Sequence, residues 1–303
     1  LEPGTWNLEP GTQRDQNGKS MSQTAMKKTA LLFFLLILSL PVLAFQPFFD
    51  NDPRTRHAPE DPDLTDFDLE VLALCGHWGD EVEAVDFEQM MLDKSNTAVL
   101  QRIRKAVGGR IFSKASDNKQ FAHELRRVWF EQKGFKHVFC GEPGSGRDLG
   151  GLHYAARYWQ AQDNNWAGYR KLKSNYRKRP VEKCRAFYLK ESIKPPVYTI
   201  SLQFKNPYEP RNNIKCLSGY NHEMNAEDIL IAGTRAFKQA NKRVGKNTKD
   251  ACLFDTRPAG KKRHFSTMVI KQRALRTFYP MTDKKPYCKK NRKNYKVCLC
   301  SNL

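Results

Sequence analysis

The stretch 134–160, GFKHVFCGEPGSGRDLGGLHYAARYWQ, constrains this chain more than any other. His137 lies in a short apolar run with Val138 and Phe139, and Cys140 follows. A glycine-rich turn comes next, and His153 stands just after Gly150 and Gly151. Tyr154, Tyr158 and Trp159 then recur at near-helical spacing. The pattern predicts a strand end, a flexible loop and a helix start converging, with two imidazoles facing one cleft. A neutral imidazole accepts a proton and a charged one donates it, and both forms are accessible near neutral pH. The competing reading is one packed and one surface histidine with no chemistry between them. A nucleotide-phosphate loop is disfavoured, because Gly144-Ser145-Gly146 is not followed by Gly-Lys-Ser/Thr.

Charge narrows the partner class. The 303 residues carry a formal net charge of +20, and the charge is unevenly spread. Residues 45–93 hold 14 Asp/Glu and two basic residues, Arg54 and Arg56. Residues 94–303 hold 46 Lys/Arg against 15 Asp/Glu, a net +31. A basic body of this kind favours phosphate polymers or anionic surfaces. The eight cysteines, Cys75, Cys140, Cys184, Cys216, Cys252, Cys288, Cys298 and Cys300, fit a disulfide framework in an exported chain, with connectivity unreadable. No zinc spacing occurs, since Cys298-x-Cys300 is too tight for a ligand pair.

Along the chain, LEPGT repeats at 1–5 and 8–12, and residues 1–25 read as a non-native or mis-called extension ahead of Met26. From Met26, a positive pair at Lys27-Lys28, an apolar run and Val42-Leu43-Ala44 predict a signal peptide over 26–44. Cleavage after Ala44 leaves 303 − 44 = 259 residues in a secreted or periplasmic compartment; the alternative is an uncleaved anchor. Residues 45–64 are expected to form an acidic, Pro-rich, extended arm, solvated or lying against the basic body. Residues 65–133 read as helices. Ser95 or Asn96 caps one carrying Val99, Leu100, Ile103 and Val107, and another runs from Asn118 with Phe121, Leu125, Val128 and Trp129 on one face. His123, on that helix, is read as structural or exposed. Residues 169–180, YRKLKSNYRKRP, interleave basic residues with tyrosines in a way that suits a phosphate backbone and base stacking, or a solvated face. Residues 197–204, VYTISLQF, alternate as a half-buried strand.

The words HVFxGE, Gly-x-His-aromatic and an aromatic helix closely resemble the EndoU (XendoU-like) endoribonuclease family. The matching residues are Gly134, Phe135, His137, Val138, Phe139, Gly141, Glu142, Gly151, His153, Arg157 and Tyr158. Residues 252–257, CLFDTR, then Pro258 resemble the family's Cys-Phe-x-x-Arg-Pro-Gly strand and turn. ALRTFYP resembles its final active-site strand, which nominates Thr277 and Tyr279 for base and sugar. The resemblance covers roughly residues 65–281 and leaves 282–303 as a basic, Cys-rich tail. It implies an α+β fold, with a helical part over 65–133 and a catalytic part over 134–281 in which antiparallel sheets flank a cleft. A turn after the LQF strand carries the family's lysine. Counting back from 225–228 puts it at Lys215; counting forward from Phe204 lands nearer Arg211, with Lys205 third. Ser218 and Gly151 are the further substrate-binding candidates.

By the resemblance, the reaction is cleavage of single-stranded RNA, preferentially at uridylates. The 2′-hydroxyl attacks its own phosphate and leaves a 2′,3′-cyclic phosphate and a 5′-hydroxyl. His153 would be the base, His137 the acid and Lys215 the charge beside the phosphate, the pair being more firmly placed than the order. No cofactor is required and no metal site is expected, with Mn2+ an activator at most. Rival readings are a secreted basic protein that binds RNA or another polyanion without cleaving it, and a secreted nuclease toxin or effector with an immunity or inhibitor protein as partner.

Overall fold

The computed structural model describes residues 45–52, 58–112, 117–144, 149–169, 183–184, 189–208, 210, 212–240, 249–282 and 295–302. The leader at 26–44, the basic run at 170–180, Arg211 and the tail segment 283–294 lie outside them. No helix among the described residues is long and apolar enough to cross a membrane.

The helical part holds α1 (Asp66–Cys75), α2 (Ala84–Leu92), α3 (Thr97–Ala106) and α4 (Asn118–Phe130). Thr65 starts α1 with a reciprocal cap: its hydroxyl accepts from the Asp68 amide, and the Asp68 carboxylate accepts from the Thr65 amide. The same carboxylate accepts from Tyr154 Oη and the Ala226 amide, so one buried residue ties three segments together. Asn96 stands at the N-cap of α3, but its side chain turns away to Glu70 and Met90. His123 is partly exposed beside Glu88 and Arg126.

After α4 the chain makes a π-helical turn, Lys136–Cys140, then β1 (Glu142–Pro143), β2 (Leu149–Gly150) and α5 (Ala155–Asp163). The remaining strands are β3 (Ala167–Tyr169), β4 (Lys183–Cys184), β5 (Leu189–Lys190), β6 (Ser192–Lys194), β7 (Val197–Lys205), β8 (Asn212–Asn221), β9 (Lys249–Thr256), β10 (His264–Lys271) and β11 (Ala274–Met281), with α6 (Ala226–Ala240) between β8 and β9. Among the described residues the named strands pair antiparallel: β1 with β2, β4 with β5, β11-β10-β9 as one sheet, and β7 taking β3, β6 and β8 as partners. The architecture is α+β, as expected.

Two apolar cores form. One gathers α1 to α4, α6 and the inner residues of β9 to β11. The other gathers α5 and β7–β8 around Tyr158, Tyr169 and Tyr220. Phe48 and Phe49 are inserted into this second core, their amides held by Gln162 Oε1. The arm is therefore docked at this point, not solvated, because two phenylalanines bury more apolar surface than the flanking acids cost to hold close. Tyr169, offered above as a base-stacking residue, is fully buried in the same core. Cys75 and Cys140 are joined, as are Cys252 and Cys300; Cys216 and Cys298 each take part in a disulfide as well.

Candidate active site

His137 does not end a strand. It lies in the π-helical turn, a rare geometry that concentrates at functional sites. Three ties hold the turn. Cys140 is bonded to Cys75, Lys136 pairs with Glu81 at 2.7 Å, and Arg157 Nε donates to the Cys140 carbonyl at 3.1 Å. Arg157 is itself wholly buried, donating to the carbonyls of Gly76 and His77, with its guanidinium 5.7 Å from the Trp78 ring and 5.2 Å from the Trp166 ring. Burial lowers its guanidinium pKa to about 10, still charged at neutral pH.

The loop carrying His153 closes directly on that turn. The Leu152 amide donates to the His137 carbonyl and the His153 amide to the Val138 carbonyl, both at 2.8 Å. Gly151 has φ +63°, and a Cβ there would lie 1.6 Å from the His137 carbonyl oxygen, so only glycine fits. Val138 and Phe139 belong to the first core and Leu152 to the second. The two imidazoles therefore meet at the seam between the cores, with ring centroids 5.7 Å apart.

Their surroundings differ. His153 Nδ1 is 3.0 Å from the Gly219 carbonyl. A carbonyl oxygen only accepts, so Nδ1 carries the proton and the neutral ring keeps its lone pair on Nε2. Burial, reinforced by the charges of Lys215 and His137, pushes the His153 pKa well below the usual imidazole value. His137 Nδ1 instead donates to Glu142 Oε2 at 2.7 Å. Burial lowers the pKa of His137 too, but there the carboxylate works in the opposite direction. Burial by itself would raise the Glu142 pKa; hydrogen bonds from His137 and Arg276 outweigh it and bring the value to about 2, so the group is an anion. Arg276 grips it with both arms of its fork, Nη1 to Oε1 at 2.9 Å and Nη2 to Oε2 at 2.6 Å.

Lys215 reaches this place from β8, not from a turn. Its ammonium donates to the Gly151 carbonyl, and its charge acts on both histidines. The antiparallel register that sets Lys215 opposite Leu202 carries it there. Lys205 stands exposed at the end of β7, and Arg211 lies outside the described residues. Tyr279 is stacked on His153, centroids 4.9 Å apart and planes 26° apart. Thr277 is buried, and its Oγ1 has no hydrogen-bond partner among the described residues. Ser218 spends its donor on the loop, bonding the carbonyls of Gly151 at 3.1 Å and Leu152 at 2.8 Å. Ser218 and Gly151 thus brace the His153 loop. No group of three or more His, Cys, Asp and Glu suited to a metal occurs among the described residues.

The sequence reading did not place Glu142 and Arg276 in the site. Glu142 had a signal, since it closes the HVFxGE word five residues after His137. Arg276 had only a weak one, a charge between apolar neighbours in a buried strand.

Chemically, the arrangement offers a proton acceptor, a proton donor and a cation around one small space. Residues 131–282 match the family described as bacterial EndoU nuclease. Over 89 residues the chain is 32% identical to uridylate-specific endoribonuclease C of Danio rerio; the match spans 26% of this chain and 28% of that relative's length. Among solved structures it is similar to XendoU, described as a splicing independent snoRNA processing endoribonuclease. That similarity has a TM-score of 0.44 and 15% identity, covering 70% of this chain and 76% of the other.

Proposed function

The chain belongs to the bacterial EndoU nuclease family, and from that premise we propose that it is an exported endoribonuclease that cuts single-stranded RNA, preferentially at uridylates. The observation that carries the proposal is the pair of imidazoles 5.7 Å apart, one hydrogen-bonded to a carboxylate and the other to a backbone carbonyl. Environments that push two titratable groups apart assign acid and base roles.

His153, neutral with an open lone pair on Nε2, takes the proton of the ribose 2′-hydroxyl. The resulting oxygen attacks the adjacent phosphorus. His137, backed by an anionic carboxylate, supplies a proton to the departing 5′ oxygen. The products are a 2′,3′-cyclic phosphate and a 5′-hydroxyl. The Lys215 ammonium stabilises charge on the non-bridging oxygens, where a fixed cation in a partly dry site counts for more than in water. Tyr279 offers a ring face to the uracil, whereas the Thr277 hydroxyl is buried. Uridylate preference is drawn from the name of the zebrafish relative.

Export is part of the proposal. It is supported by the leader-like 26–44 and by the disulfides, which persist in oxidising compartments. Mn2+ enters as an activator whose effect is measured by adding it to chelator-treated protein.

The decisive experiment incubates the purified protein with a defined oligoribonucleotide containing a single uridine, followed by mass analysis of the ends. Cyclic phosphate and 5′-hydroxyl termini are expected, with a 2′-deoxyuridine substitution blocking cleavage. Binding without any product would establish the polyanion-binding reading instead.

A further inference from the structure

Glu142 has one carboxylate and two claimants. Its Oε2 accepts from His137 Nδ1 at 2.7 Å and from Arg276 Nη2 at 2.6 Å, while Oε1 accepts from Arg276 Nη1 at 2.9 Å. The guanidinium is pinned from a third side, where Nη1 also donates to the Gln132 carbonyl at 3.2 Å, just past the end of α4. Overhead, Gly150 passes so close that a Cβ there would come within 2.7 Å of Oε2. The carboxylate is thus boxed between an arginine fork, an imidazole and a loop backbone.

An imidazole paired with an undivided buried carboxylate holds its proton tightly, and a general acid works best when its pKa lies near the operating pH. We propose that Arg276 is a positioning residue that divides the Glu142 carboxylate with His137, orienting the ring while limiting how firmly its proton is held. The proposal rests on His137 being the proton donor of the reaction above. A planar fork suits this role, because two parallel N–H bonds fix the carboxylate plane, which a lysine cannot do. Of the charged groups that act on His137, Glu142 favours its protonation, whereas Arg276 and Lys215 disfavour it, so removing Arg276 has one sign. Oε2 is released to His137 and a repelling charge disappears, and both changes strengthen the proton's hold.

The test follows the His137 ring by NMR titration of the whole processed chain in wild type, R276Q and R276K, with H137N identifying the resonance. The His137 midpoint is expected to rise by about one pH unit in R276Q and by less in R276K, which keeps the charge but loses the fork. In parallel, the alkaline limb of the kcat/KM profile on the uridine oligonucleotide should shift upward with the midpoint while the plateau rate falls. A residue that merely supported the fold would lower the rate at every pH and leave the limb in place. An unmoved or lowered His137 midpoint overturns the proposal, and if R276Q does not fold, R276K decides by the same criterion. Absence of cleavage by the wild type at every pH overturns the nuclease reading itself, an outcome separable from a failed titration.

Discussion

At the scale of single residues, the two histidines carry different burdens. His137→Ala and His153→Ala should each reduce oligonucleotide cleavage by roughly 10²–10⁴-fold, the usual contribution of one positioned proton-transfer group. Lys215→Ala should lower kcat with a smaller change in KM, since its charge is needed most when the phosphate oxygens become more negative. His153 also makes a prediction about stability. Its folded pKa lies below the unfolded value near 6.5, so the unfolded chain binds the extra proton first. Stability is full above the unfolded value and is lost as pH falls from about 7 towards 5. The urea midpoint should drop over that window, and His153→Gln should flatten part of the slope; His137 and His264, whose pKa values are also lowered, supply the remainder. Both histidines of the proposed proton transfers could be read from the sequence, because they sit inside continuous words. Glu142 was inside such a word without a role, and Arg276 lies 134 positions away from it.

At the scale of elements, the site depends on two short pieces held against each other: the π-helical turn and the Gly150–Gly151 loop. Gly151→Ala forces a side chain into the His137 carbonyl and should cost about 3 kcal/mol or more, while nearly abolishing cleavage. The Cys75–Cys140 bond closes a span of 65 residues. In the chain-entropy account its removal costs roughly 4 kcal/mol. Cys140 shares its turn with His137, so a Cys75→Ala, Cys140→Ala double variant should lose cleavage at temperatures where it is still folded by circular dichroism. Retention of full activity there would show that Arg157 and Lys136 suffice to hold the turn. The existence of α3 and α4 followed from periodicity and that of β7 from alternation, while β11 was expected from the family resemblance. The π-helical turn did not, because its apolar run Val138–Phe139 suits a strand equally well by composition. Only the closing of the His153 loop on its carbonyls marks the difference.

At the scale of the whole molecule, an acidic helical stretch precedes a strongly basic body, and the site lies where two cores meet. RNA affinity should fall steeply with salt, by roughly 50-fold between about 50 and 200 mM if about four phosphates are neutralised. The docked arm belongs to the fold: Phe48→Ala should cost about 3–5 kcal/mol in a denaturation experiment. By itself the sequence determined the disulfide-bearing character and the basic charge balance, and its resemblance to the family implied the α+β class and the paired histidines. Continuous words and sums over residues need no partner in space to be visible. The tertiary structure alone decided that Lys215 is the cation at the histidines, that Phe48 and Phe49 are interior, and that Arg276 reaches Glu142. The two counts that disagreed over the lysine ran along the chain, whereas the pairing of Leu202 with Lys215 runs across it. Strand register and the packing of distant segments place side chains through space, and residues so joined leave no shared mark on the stretches of chain where each is written.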